Sequence, residues 1–506
     1  MKLDLYDKLS VIKTPVADYP KSNDGSYKWY PELCQLSITG KKIFLNSIYK
    51  SIRELFHLLS LDEKNYGTKN WNPLGEIIKS GDKVLIKPNL VKHEKGEATG
   101  CVMTHASVLR PIVDYCLIAL KGKGKITICD VPLQSADFEL VKRQTGLDQL
   151  MSFYSKFDVP VELLDLRVHS AISDDHGFFV RLEKNPHNED DFVEIDLAAE
   201  SMLEGITNEG NVQFAVDDYA VDKMKEFHNK GIHKYLIPKK ILDADVVINV
   251  PKLKTHQKAG ITVSLKNLIG INAGKERLPH FRRGLNGDEY YGKNILKLIN
   301  SHIRFYLQNR NRALWNLGLK TWRTMVKFEQ KIRNHPNNGH GNKSPAASLA
   351  IKHGAWHGND TVWRTILDVN RILFYATIRG EMTEKKQRHY FSIVDGIIAG
   401  EGNGPINPKP KPVGVLLAGF DPVLVDCLAA RLMGFDPEKI PQLKNAFSPH
   451  KYPITNLTQK RLKDIEVLSN ESDYNGYLFG IKHSYLEFEP PPGWINFIEI
   501  TSLVDS

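Results

Sequence analysis

The residues best equipped for chemistry crowd into one stretch, Asp245–Arg283, DVVINVPKLKTHQKAGITVSLKNLIGINAGKERLPHFRR. An apolar run, Val246–Val250, reads as a buried strand. Pro251 has no amide proton, so the chain is expected to leave the sheet there. Lys252, Lys254, Thr255, His256 and Lys258 follow at once. A second polar group comes next, Thr262, Ser264, Lys266 and Asn267, with Gly260 and Gly270 allowing close backbone approach. His280, Arg282 and Arg283 close the stretch. Such cations can hold a carboxylate or phosphate. Where burial draws a lysine toward neutrality, or where histidine already titrates, they can instead move protons. Lys254, His256, Lys266 and His280 are the acid–base candidates, and residue type alone does not separate the two roles.

Other strands end alike. Lys87-Pro88-Asn89, Asp130 and Asp395 each place a polar or charged group where an apolar run stops. Ligands of open α/β sheets sit beyond the carboxyl ends of strands, so Lys87, Asn89, Asp130, Lys252, Asn267 and Asp395 are candidate binding residues. Ion pairs joining Lys87 or Lys254 to Asp130 or Asp395 would explain the same placement, because a buried charge is costly unless paired. The loop Gly396–Pro405, GIIAGEGNGP, adds Glu401, Gly402, Asn403 and Gly404, whose successive amides could face an anion. It lacks the GxGxxG spacing, and prolines follow it instead of a helix. GINAGK at 270–275 is too short for a P-loop and has no Ser or Thr after its lysine, so no P-loop nucleotide is expected. His353, His357 and Asp360 in KHGAWHGND could grip a metal if helical, but Gly354 and Gly358 favour a hydrogen-bonded loop. The cofactor, if there is one, is left open.

Elements of an α/β protein must carry these groups. Strands are expected at Lys83–Leu90, Lys125–Cys129, Val159–Leu166, Phe391–Val394 and Val413–Ala418. Helical spacing of apolar residues marks 47–61 and a helix capped by Thr104. Asp421 as N-cap, Pro422 after it and Gly434 past the end bound another helix. Strand–helix–strand order implies mostly parallel sheets flanked by helices, in two lobes with a cleft between them. The divisions are an N-terminal extension (1–75), a first α/β lobe (76–182), and an excursion with the cationic stretch (183–290). A basic helical insertion (291–345), a second α/β part (346–440) and a C-terminal extension (441–506) complete the chain.

Length, 506 residues, calls for more than one core. Five scattered cysteines without a CxxC argue against a ferredoxin-type iron–sulfur cluster or a disulfide scaffold. No run of eighteen apolar residues predicts a transmembrane helix, and the start lacks the apolar core of a secretory signal, so cytoplasmic residence is expected. The net charge of +9 is local: residues 293–343 hold eleven Lys or Arg against one acid, Glu329. Specific nucleic-acid binding is therefore not expected. The amphipathic basic stretch 293–333 suits peripheral contact with an anionic membrane, or a lid with solvated cations.

LIKPNLV at 85–91, the stretch 242–272, WHGNDTVWRTILDVNRI at 356–372, VDGIIAGEGNGP at 394–405 and LLAGFDPVLVDCLAARLMGFDP at 416–437 resemble the family known as domain of unknown function 362. The resemblance implies a longer bacterial type without the ferredoxin-like module, associated with surface-polysaccharide genes. It implies no common reaction. A remoter likeness, His256, Gly260, Lys266 and His280 in order, is to the nickel-pincer lactate racemase, which would make Lys266 a cofactor tether and His280 an acid–base. Together these readings point to an enzyme acting by proton transfer on a small anionic or sugar-like substrate. The alternatives are a non-catalytic module binding an anionic or lipid-linked glycan and, less favoured, a redox partner.

Overall fold

The computed structural model describes residues 7–20, 30–36, 47–173, 179–207, 213–216, 221–283, 287–288, 353–480 and 485–500. The basic segment 293–343 lies outside them.

An eleven-stranded sheet organises the chain. Its strands are β1 (Leu9–Lys13), β2 (Lys83–Pro88), β3 (Lys125–Asp130), β4 (Val161–Asp165), β5 (Val246–Val250), β6 (Lys252–His256), β7 (Gly260–Thr262), β8 (His389–Glu401), β9 (Lys409–Gly419), β10 (Glu466–Ser469) and β11 (Gly476–Tyr477). The order is β11-β10-β1-β9-β8-β5-β2-β3-β4, with β6 beside the far half of β8 and β7 paired to β6. The run β8-β5-β2-β3-β4 is parallel throughout. The α/β class and the mostly parallel sheet thus follow the sequence reading. The two expected lobes share this one sheet, so their polar strand ends meet within it and not across a gap between lobes.

Alternation along the central strands builds a core on each face. Ile86, Ile248, Ile393 and Leu416 pack with α1 (Ser47–Leu58) and α2 (Ala106–Leu120) through Phe56, Leu109 and Ile112. Leu85, Val247, Val394 and Leu417 pack on the other side with α3 (Ser264–Asn267), α4 (Val362–Tyr375) and α5 (Pro422–Leu432). The helix α5 has the expected ends: the Asp421 carboxylate accepts from Val423 N at 2.8 Å and Leu424 N at 3.2 Å, and Gly434 takes φ +84°.

Three local expectations change. Pro251 interrupts the sheet without ending it. Its carbonyl accepts from Asp395 N at 2.9 Å, and the chain resumes as β6 because β8, thirteen residues long, partners β5 with its first half and β6 with its second. Asp395 is consequently mid-strand. Strand β9 runs through Pro410 and Pro412, since β1 covers only Val415–Gly419 and leaves the proline end an edge. His105, not Thr104, caps α2. The Thr104 hydroxyl instead donates to Val250 O at 2.7 Å and accepts from Asn89 N at 2.9 Å, tying three segments together.

The turn after β8 is tight. A Cβ on Gly404 would lie 1.9 Å from Thr255 O, a backbone atom that β6 holds in place. Gly404→Ala is expected to cost about 1–3 kcal/mol through overpacking, read as a lower urea midpoint; an unchanged midpoint would mean that the turn can swing away.

Candidate functional site

At the carboxyl end of β2, the Lys87 amine lies 2.7 Å from Asp130 Oδ1, both fully buried. Asp130 also accepts from Leu90 N at 2.6 Å and Val131 N at 2.7 Å. Gly270 leaves room for the pair, since a Cβ there would approach Asp130 Oδ1 to 2.6 Å. Lys275 enters beneath it, donating to Val131 O at 2.8 Å, with burial pulling its amine down to about 8. Asn267 bridges Lys87 O at 3.2 Å and Asn249 Oδ1 at 2.7 Å. Asn89 is buried and donates its amide proton to Thr104.

The second cluster lies along β6 and β8. Lys252 Nζ is 3.2 Å from Asp395 Oδ2 and also meets the Tyr19 hydroxyl. Tyr19 donates to Asp395 at 2.7 Å and stacks on His105 at 4.1 Å between ring centres. His105 N and Ile397 N give Asp395 two further donors, at 3.1 Å and 3.2 Å. Burial lowers the Lys252 amine, against the opposing pull of Asp395, and lowers the His105 ring to about 4. Of the ion pairs that the sequence admitted, Lys87–Asp130 is formed; Asp395 takes Lys252, and not Lys254, as its partner.

Lys254 is different. Its amine is fully buried and donates to Val102 O at 2.5 Å, and no carboxylate among the described residues lies within ion-pair distance. Burial, helped by the charges of Lys252 and Lys266 and opposed by Cys101, pushes it down to about 7. His256, two residues along on the same face, is pushed well below the usual histidine range by burial and by Lys266, His280, Lys258 and Lys254. Its Nδ1 accepts from Lys258 N at 3.1 Å and Ala259 N at 3.2 Å, which places the ring proton on Nε2. His256 is thus a hydrogen-bond donor more than a base. His280 shows the opposite tautomer: Nδ1 meets Leu278 O at 2.7 Å, so its lone pair sits on Nε2. Lys266 and His280 are only partly buried and form the more open side of the group. Lys254, His256, Lys266 and His280 are brought together.

The glycine loop is not an anion cradle. Gly402 N donates to Glu489 O at 2.8 Å and Gly404 N to Gly402 O at 2.9 Å, so those amides are spent inside the fold. Glu401 pairs with Lys411 at 2.9 Å, and Asn403 Oδ1 accepts from Gln257 at 2.7 Å. Arg282 leaves the cationic group for Asp288, at 3.0 Å. The weak metal candidates also part. His353 sits in a positive-φ turn against Phe281, His357 stacks on Phe497 at 3.9 Å, and Asp360 binds Arg364 and the Trp363 ring nitrogen. Among the described residues no three His, Cys, Asp or Glu are grouped to hold a metal ion.

Several site residues escaped the sequence. Tyr19 and His105 carry no signal in turn-rich surroundings. Asn249 and Asp426 do carry one, a polar residue inside a fully buried run, VVINV and PVLVDCLAARL. Asp426 accepts from Ser264 N at 2.6 Å and Leu265 N at 3.0 Å, capping α3, and burial pushes it up to about 7.

Comparison with known proteins adds two findings. The family described as "Domain of unknown function (DUF362)" matches residues 84–176 and 172–431. A "Thylakoid-associated protein sll1697" of Synechocystis sp. is 26% identical over 235 residues, which is 46% of this chain and 44% of that relative. The chain thus matches under half the length of that curated relative. Among the described residues no helix is long and apolar enough to cross a membrane.

Proposed function

The chain belongs to the DUF362 family, and from that premise we propose that it is an enzyme that moves a proton on a small anionic or sugar-like substrate. The observation that carries this reading is Lys254: a buried amine with no carboxylate partner among the described residues, pushed down to about 7, beside His256 and under the charge of Lys266. Folding gains nothing from such a cation, whereas catalytic groups are tuned this way. His280, with its lone pair on Nε2, takes the proton from carbon. Lys254 as ammonium and His256 through Nε2–H stabilise the negative charge that develops, and Lys266 adds its field. Lys87, Asn89, Asp130, Asn267, Lys252 and Asp395 shape the wall behind them. Surface-polysaccharide metabolism is a setting that would supply sugar acids of this kind.

The test is deuterium exchange. Hydroxy acids and sugar acids of up to six carbons, incubated with the protein in D2O, should gain deuterium at the carbon beside the carboxylate, read by mass spectrometry. His280→Asn should lower the exchange rate by about 10²–10⁴-fold, the usual contribution of a general base. Exchange at the wild-type rate in that variant, or none with any acid, would sink the reading.

A second reading, peripheral binding to a membrane or lipid-linked glycan through 293–333, is favoured by the relative's description as thylakoid-associated. Vesicles containing phosphatidylglycerol should then sediment the protein at low salt and release it at high salt. Equal sedimentation after the basic residues of 293–333 are changed to Gln would count against it.

A further inference from the structure

We propose that Lys254, Thr262 and His256 together bind one oxyanion of the substrate, a carboxylate or a phosphate, with Thr262 as a specificity-determining residue. The inference rests on the proton-transfer reading and narrows its substrate to molecules that carry such a group.

Lys254 and Thr262 are directly opposite in the antiparallel pairing of β6 with β7. Opposed side chains stand on one face with Cβ atoms about 4.5–5.5 Å apart. Thr262 is buried, and its hydroxyl oxygen has no hydrogen-bond partner among the described residues. A hydroxyl left so in an apolar core would cost stability without return. Lys254 has one described hydrogen bond for three donor positions. His256 stands on the same face and offers Nε2–H, because its Nδ1 is occupied by two amides.

Every group in this set can donate, and two buried carboxylates on neighbouring segments, Asp395 and Glu94, are already engaged. Asp395 takes Lys252, Tyr19 and two amides, while Glu94 accepts from Thr99 N at 2.6 Å and from the Thr99 hydroxyl at 2.5 Å. An oxyanion, which has only acceptors, satisfies such a set. A neutral sugar hydroxyl, which must also donate, does not. Binding also holds the proton on Lys254, so affinity should fall as pH rises above about 7, where the free amine is neutral.

Isothermal titration with inorganic phosphate, glucuronate and, as neutral control, glucose tests this. The wild type should bind phosphate or glucuronate, whichever chemistry the site takes, and not glucose. Thr262→Val should weaken that binding about tenfold, the effect of one hydrogen bond to a charged group, and Thr262→Ser should restore it. Thr262→Val should be no less stable than the wild type, because the hydroxyl it removes has no partner among the described residues. Absence of binding by both anions, glucose binding as tightly as either, or an unchanged affinity in Thr262→Val overturns the proposal. Anion binding without deuterium exchange defeats the proton-transfer reading alone. Exchange that ignores Thr262 defeats this inference alone.

Discussion

Lys254→Met is expected to stabilise the protein at neutral pH and to abolish proton exchange. In the unfolded chain the amine titrates near 10.5, and in the folded chain burial brings it down to about 7. Between those values the unfolded state binds more protons, so this group's contribution to stability climbs as pH rises from 7 to 10.5. Below 7 both states are protonated and the full penalty of the buried charge stands. The gap corresponds to roughly 3–5 kcal/mol. Methionine fills similar space without the charge, but it leaves Val102 O unpaired, at a cost of about 1–3 kcal/mol. The variant should therefore be more stable by about 1–3 kcal/mol at pH 6–7 and less stable above pH 10. Urea midpoints at pH 6, 8 and 10 measure the reversal; a difference that does not vary with pH would mean that the amine is not held near neutrality. Loss of exchange by about 10²–10³-fold in the same variant would match the removal of one preorganised charge-stabilising donor. A residue whose removal strengthens the fold and stops the chemistry is one that the fold tolerates for the chemistry.

Lys254 also shows how much the sequence disclosed. Its type, and its place just past an apolar strand, were enough to nominate it together with His256, Lys266 and His280. The α/β class was legible for a related reason: the apolar runs of β2, β3 and β5 are buried on both faces, and such runs are hard to mistake. What stayed hidden depended on partners distant in the chain. Pro251 reads as the end of a strand unless β8 is known to extend to Glu401 and receive β6. The Gly402 and Gly404 amides look available to an anion until Glu489, far along the chain, takes the first. Tyr19, in a stretch of turns, joins the Lys252–Asp395 pair only through the folded path of β1. The likeness of His256, Gly260, Lys266 and His280 to the lactate racemase finds no support in the family match, which adds nothing toward a nickel cofactor.

The Lys252–Asp395 pair yields the other large effect. Asp395 accepts from Lys252, Tyr19, His105 N and Ile397 N, and neither partner of the ion pair is exposed. Asp395→Asn removes the charge and replaces one acceptor oxygen by a donor. It strands a buried ammonium and sets donor against donor at one corner. Breaking a buried pair on one side costs about 3–5 kcal/mol, so the urea midpoint should drop sharply. Lys252→Met alone should cost comparably, because it leaves a buried carboxylate with only hydroxyl and amide donors. The double variant Lys252→Met/Asp395→Asn removes both charges and keeps one acceptor oxygen for the Tyr19, His105 and Ile397 donors, so no buried charge is left unpaired. It should recover most of the loss, giving a coupling energy of at least about 2 kcal/mol in the cycle. Its exchange activity then decides what the pair is for. A stable double variant that still exchanges deuterium makes Lys252 and Asp395 a strut holding β6 against β8. A stable but inactive one brings them into the chemistry beside Lys254. Single-variant losses that simply add would show that the two charges do not act as a pair.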